Sequence, residues 1–305
     1  MSERAAIASP LSTGVKFATA GLGGVGGWIL IHPFNTVAIR MNLASATTGA
    51  GTPAAGSFLS FTRNVVAEEG FMTLYNGLSA GILRQVFYAT SRFGLYEVFR
   101  DISAKYREPD LASRLGVGIL SGACAAYISC PAEVTLVRMS NDTALPAAER
   151  RNYSSVINAA YRIATEEGIG TFWRGSTPFV MRAMLVGATQ VGTYDQFKVM
   201  YRGYGVPDGI SNVFCASMSA GLLYSLITMP FETAKNRMSF QKKDPKTGEL
   251  MYRATGQTIR TVASKEGVLA LWSGFLPYYG RCGGHTVSMF IFVEELRRVY
   301  KSLRS

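Results

Sequence analysis

The side chains of this chain best suited to chemistry are arginines set among small and apolar residues. Arg84, Arg182 and Arg281 stand in LRQVFYA, MRAMLVG and GRCGGHT, 98 and 99 residues apart. A guanidinium stays charged in any surroundings and meets a carboxylate through two parallel hydrogen bonds. Inside a bilayer an ionisable side chain is costly, so one that faces a bundle interior marks the path of a solute. Tyr88 and Arg92 follow Arg84 at i+4 and i+8 and share its helical face. His285 follows Arg281 by four residues, in phase with Tyr88. Together Arg84, Tyr88, Arg92, Arg182, Arg281 and His285 form a candidate site for a small anion. No acid pair, Ser/His/Asp grouping or phosphate-cradling glycine loop stands at useful spacing, so an enzyme is not expected.

Composition narrows the surroundings. Hydrophobic residues make up 48% and charged ones 17%, with a net charge of +11. That excess suits anionic lipid or small anions. Nucleic acid would call for basic clusters interleaved with aromatics, whereas the cations here are spread along the chain. Cys124, Cys130, Cys215 and Cys282 make no CxxC pair and no metal-like spacing with His32 or His285, so neither disulfides, metal nor cofactor is expected. The first ten residues, MSERAAIASP, lack an apolar core and an Arg-rich amphipathic pattern, and no cleavable presequence is expected.

The elements that must position the arginines come in triplicate. HPFNTVAIRM, CPAEVTLVRM and MPFETAKNRM place Pro33, Pro131 and Pro230 at the same 98 and 99 spacing. AEEGFMTLYNG, TEEGIGTFWRG and SKEGVLALWSG do so for Gly77, Gly175 and Gly274. Three landmarks with one period divide the chain into repeats over 1–108, 109–207 and 208–305, joined in one integral domain. In each repeat an apolar, small-residue stretch of about 20 residues runs into the proline, long enough to cross a bilayer. Charged residues continue past the proline at helical spacing, which predicts a kink rather than a stop. A short amphipathic segment ending at glycine then predicts a surface helix. A second spanning helix begins at Leu78, Thr177 and Phe275, with a polar face that hides it from hydropathy. The expected fold is all-α, with six transmembrane helices in three pseudo-symmetric repeats and three short surface helices.

The proline, acid-Gly and aromatic-base-Gly motifs resemble the signature of the mitochondrial carrier family, over the whole chain in triplicate. Longer stretches, including YNGLSAGILRQ, PAEVTLVRM, PFVMRAM and GFLPYYGRCGGHTV, resemble the dicarboxylate-exchanging branch. The resemblance implies a threefold six-helix barrel in the mitochondrial inner membrane, multi-pass, with both termini toward the intermembrane space and the surface helices on the matrix side. It implies an antiporter that exchanges dicarboxylates, such as 2-oxoglutarate for malate, by alternating access. It also implies anionic lipid partners, cardiolipin among them. Threefold symmetry brings Arg182 and Arg281 to the level of Arg84, and the positions of Arg84, Tyr88, Arg92, Arg182 and Arg281 are those of the branch's substrate contacts. Gly187 and Gly284 depart from that branch.

The resemblance also implies two rings of ion pairs as gates. The matrix ring takes an acid two residues after each proline and a base five after. Here these are Asn35 and Ala38, Glu133 and Leu136, Glu232 and Lys235. With one cation left, at most one pair is expected, and the empty protein is expected to favour the matrix-open form. The ring toward the intermembrane space has Glu97 with Arg100 and Asp195 with Lys198, but Val293 and Leu296 in the third repeat. Arg40, Arg138 and Arg237 are expected to brace Glu69, Glu167 and Glu266. The damaged first-repeat motif keeps a second reading open: a carrier-fold protein that no longer transports and serves as a structural or lipid-binding subunit of an inner-membrane assembly. A last alternative has the site arginines pairing with helix acids and only holding the bundle together.

Overall fold

The computed structural model describes residues 13–48, 57–106, 110–145, 150–207, 209–241 and 249–302. Among them the chain forms long helices α1 (Thr13–Thr48), α3 (Leu78–Ala104), α4 (Leu111–Asn141), α6 (Ser176–Gly203), α7 (Ile210–Phe240) and α9 (Phe275–Ser302). Short helices α2 (Phe58–Glu69), α5 (Val156–Glu167) and α8 (Thr255–Lys265) lie between the two long helices of each repeat. The shortest long helix, α3, has 27 residues. At 1.5 Å per residue it covers about 40 Å, more than the hydrocarbon core of a bilayer. By length and apolar composition only α1, α4 and α7 qualify as spans, over Gly21–Ala44, Leu115–Asn141 and Ser211–Phe240. The three arginine-bearing helices stay below that threshold because they carry the polar face.

Each proline lies inside its helix: Pro33 in α1, Pro131 in α4, Pro230 in α7. The helices run on past them because the residues that follow are held by other elements. Thr36 donates to the carbonyl of Leu74 at 2.8 Å, and Thr233 donates to that of Leu271 at 2.8 Å. Those carbonyls belong to the 3₁₀ turns 71–75 and 268–272 that follow the surface helices. The surface helices are one-sided: α5 buries Ala159 and Ile163, and Ser155 caps it by accepting from the backbone N–H of Asn158 at 3.1 Å.

Closure of the ring rests on three glycines. Gly77, Gly175 and Gly274 precede α3, α6 and α9 at φ of 83°, 82° and 78°, a left-handed conformation that favours glycine. Each also presses on the next repeat. A Cβ would lie 2.9 Å from Ser140 Oγ at Gly77, 2.8 Å from Ser239 Oγ at Gly175 and 2.9 Å from the carbonyl oxygen of Ala38 at Gly274. Repeat 1 thus abuts α4, repeat 2 abuts α7, and repeat 3 abuts α1. The dominant helix contacts follow the same cycle, α3 with α4, α6 with α7 and α9 with α1.

Charged and polar side chains share the interior with apolar ones. Arg40, Arg138, Lys235 and His32 are among the largest fully buried side chains, while Leu22, Leu30, Phe93, Tyr127 and Leu226 are exposed. Buried charges beside exposed apolar side chains fit helices whose outer faces meet lipid. The expected braces are present: Arg40 Nη1 donates to Glu69 at 3.0 Å, Arg138 to both oxygens of Glu167, and Arg237 Nη2 to Glu266 at 2.8 Å.

Candidate functional site

The three repeated arginines converge on the ring of residues just past the prolines. Arg84 Nε on α3 lies 3.4 Å from Glu133 Oε2 on α4. Arg182 Nε on α6 lies 3.1 Å from Glu232 Oε2 on α7. Arg281 Nη1 on α9 donates to Asn35 Oδ1 on α1 at 3.3 Å. Each arginine therefore reaches the acid position of the following repeat, the same cycle as the glycine contacts. At the centre Lys235 Nζ donates to Glu232 Oε1 at 2.8 Å and to Glu133 Oε1.

This corrects the expected number of pairs in the ring. A single ion pair was expected in the ring because Ala38 and Leu136 carry no charge. Lys235 instead joins two carboxylates, and Arg84 and Arg182 add two more contacts from the neighbouring helices. The arginines supply what the ring positions lack. The acids that meet them come from the proline-kinked helices, not from the helices that carry the arginines. With the ring joined in this way, its missing cations are no ground for expecting a weakly held, matrix-open form.

Leu136 is 1% exposed and packs with Trp28, Ala80 and Met139. Ala38 packs with Met229 and Tyr278, under the close approach of Gly274. Both ring positions without charge are thus filled by close packing.

Other candidates surround the cluster. Arg84 Nη2 donates to Gln85 Oε1 at 2.8 Å, and Gln85 Nε2 lies 3.3 Å from His285 Nε2, so His285 joins the same network. Tyr88 packs against the cluster of Ala126, Cys130 and Phe179. The Arg92 guanidinium lies 5.9 Å from the Tyr88 ring centre, further along α3. Sequence reading missed the rings: Arg84 stacks 4.5 Å above Trp28, while Arg182 and Arg281 lie 5.7 and 4.7 Å from Tyr278. Arg182 Nε also donates to the Tyr278 hydroxyl at 3.0 Å.

Among the described residues the second expected ring shows no joined pair. Arg100 binds Asp101 of its own helix at 2.9 Å, both side chains more than half exposed. Among the described residues neither Glu97 nor Lys198 forms an ion pair. The side chain of Asp195 lies outside the described residues. Among the described residues the helix bundle is tied by charge at its proline end.

Among the described residues, Arg84, Arg182, Arg281 and Lys235 of the buried cluster face only the carboxylates of Glu133 and Glu232, a surplus of two positive charges. Two further charges of negative sign would balance it. No group of three or more metal-ligating side chains occurs among the described residues.

Comparison with known proteins places the chain in a family. The family profile described as "Mitochondrial carrier protein" matches three times, over residues 9–107, 107–205 and 207–303. The chain is 39% identical over 291 residues to the mitochondrial 2-oxoglutarate/malate carrier protein of Caenorhabditis elegans, covering 94% of this chain and 92% of that one. It is 39% identical over 293 residues to the human protein of the same name, covering 95% and 92%. Identity to mitochondrial uncoupling protein 5 of Arabidopsis thaliana is 30% over 309 residues, covering 93% and 97%. With three profile matches spanning nearly the whole chain and full-length relatives at this identity, the protein belongs to the mitochondrial carrier family.

Proposed function

We propose that the protein is an antiporter that exchanges dicarboxylates, 2-oxoglutarate and malate foremost, across the mitochondrial inner membrane, and that it is not an enzyme. The observation that carries this reading is the surplus of two positive charges in a buried cluster of arginines. A dianion supplies the two missing negative charges, and a guanidinium binds each carboxylate through two parallel hydrogen bonds that a neutral solute does not offer. The relatives named 2-oxoglutarate/malate carriers support the same choice.

In this reading the termini face the intermembrane space and the joined ring faces the matrix, so substrate enters from the end of Glu97 and Arg100. Its carboxylates compete with Glu133 and Glu232 for Arg84 and Arg182. Only a bound dianion draws the arginines off the ring, which couples occupancy to opening on the other side. Arg92 and Tyr88 guide the anion above the ring, and His285 joins the site through its link to Gln85. Anionic lipid, cardiolipin included, surrounds the basic chain. The intact charged cluster favours transport over a purely structural subunit of a larger assembly. The arginines do hold the bundle, yet their surplus charge is unexplained by that role alone.

The test is uptake of labelled 2-oxoglutarate into vesicles loaded with malate, against vesicles without internal substrate. Counter-substrate-dependent uptake is expected, with ATP not carried. Folded protein that shows no such uptake overturns the antiport reading.

A further inference from the structure

Three aromatic rings sit under the cations, one from each repeat, and their host positions are exchanged between repeats. Five residues before the prolines stand Trp28, Ala126 and Ser225. Three residues before the arginines stand Gly81, Phe179 and Tyr278. Each repeat thus has one ring and one small residue. Repeat 1 carries its ring on the proline helix, and repeats 2 and 3 carry theirs on the arginine helix.

The exchange conserves volume. A Cβ on Gly81 would lie 2.3 Å from Trp28 Nε1, so the indole occupies the space a side chain at 81 would need. In repeat 2 the relation is reversed: Phe179 packs against Ala126. Trp28, Phe179 and Tyr278 are each 2% exposed or less. Trp28 Nε1 is buried without a hydrogen-bond partner among the described residues, so polar contact does not account for its placement.

All four cations of the cluster lie over these rings. Arg84 is 4.5 Å from the centre of Trp28, Lys235 is 5.5 Å from Phe179, and Arg281 and Arg182 are 4.7 and 5.7 Å from Tyr278. A ring face attracts a cation without cancelling its charge. A carboxylate in the same place would hold the arginine but compete with an incoming anion. A ring holds it and leaves its charge available.

We propose that Trp28, Phe179 and Tyr278 are positioning residues that set the placement of the site's cations, and that the Trp28 and Gly81 pair does this for Arg84 from the opposite wall. This rests on the dicarboxylate reading for its transport consequence. Replacing Trp28 by leucine fills space without a π face. It is expected to raise the KM for 2-oxoglutarate roughly threefold to thirtyfold, with the maximal rate much less affected. Gly81→Ala should do the same by displacing the indole. The double variant Trp28→Ala with Gly81→Phe moves the ring to the arginine helix, as in repeat 2, and should recover most of the affinity that Trp28→Ala alone loses. A wild-type KM in both Trp28→Leu and Gly81→Ala overturns the proposal, as does a double variant no better than Trp28→Ala, thermal unfolding having confirmed that each is folded.

A substrate-free arm separates this from the transport reading. The chain has three tryptophans. In a Trp173→Phe, Trp272→Phe background, emission reports Trp28 alone. Arg84→Leu should alter that emission by removing the stacked guanidinium. Unaltered emission overturns the stacking whether or not dicarboxylate is carried, and absent uptake with altered emission overturns only the transport reading.

Discussion

At the residue scale, Arg182 has the most demanding geometry of the three arginines. Its Nε meets both the Tyr278 hydroxyl at 3.0 Å and Glu232 at 3.1 Å. A lysine there keeps one charge but loses the planar fork, so it cannot hold these partners and a substrate carboxylate together. Loss of one charge-assisted hydrogen bond costs about 1.5–3 kcal/mol, or roughly tenfold to a hundredfold in affinity. Arg182→Lys is therefore expected to raise the KM for 2-oxoglutarate by that factor, read by initial uptake rates. Uptake unchanged in both Arg182→Lys and Arg182→Ala would assign the arginine to structure alone. The candidate arginines could be read from sequence because covalent spacing repeats them. Their partners could not, because Glu133 and Glu232 lie on helices of the next repeat. Nor did the missing charges at Ala38 and Leu136 reveal that arginines from neighbouring helices reach the same ring.

At the element scale, the second surface helix is tied down more heavily than the others. Glu167, at the end of α5, accepts from Arg138, from Arg151 at 2.8 Å and from Arg174 at 3.2 Å. The corresponding Glu69 is paired with Arg40 at 3.0 Å and Glu266 with Arg237 at 2.8 Å. The sequence motif announced the brace in all three repeats, but Arg151 lies in the loop before α5, outside the repeated pattern, and its contribution appears only in the fold. Removing the carboxylate leaves three arginines facing one another in a partly buried place. Glu167→Gln is expected to cost about 3 kcal/mol or more, and to lower the unfolding midpoint in detergent further than Glu69→Gln does. Equal losses would show that the extra arginines add nothing. Burial pushes the Glu167 carboxyl up, but the hydrogen bond and charge of Arg138, with Arg151 and Arg174, outweigh it and hold the group below the usual carboxylate range. A depressed folded value means that the stabilisation is full above the unfolded pKa of about 4.3 and fades as pH falls through the folded value. The gap in midpoint between wild type and Glu167→Gln should therefore be constant near neutrality and close only in acid. A gap that narrows already between pH 8 and 6 would contradict this.

At the scale of the whole molecule, the three repeats close into a ring that is chemically uneven. Two of the acid positions hold carboxylates, and the third is Asn35, whose amide accepts from Arg281 at 3.3 Å while its Nδ2 has no partner among the described residues. Repeat 1 is therefore the weakest link of the joined end. Asn35→Asp is the simplest change that equalises the three, since it keeps shape and turns a hydrogen bond between a cation and a neutral amide into an ion pair. An ion pair is worth about 0–1 kcal/mol when exposed, and a buried pair is offset by desolvation, but the Arg281 charge is already buried here and only one new charge must be accommodated. A gain of about 1.4 kcal/mol shifts a two-state population tenfold. The variant should thus favour the form closed at the proline end by up to roughly tenfold and slow exchange, while its third carboxylate lowers the surplus positive charge by one and weakens dianion binding. Cys282, beside Arg281 with Sγ 3.9 Å from its Nη2, reports the cluster directly. In a Cys124→Ser, Cys130→Ser, Cys215→Ser background, an impermeant thiol reagent should label Cys282 faster in Asn35→Asp when applied at the end of Glu97 and Arg100, and more slowly from the proline end. Identical labelling from both sides before and after the substitution would show that the neutral position in repeat 1 does not set the balance between the two forms.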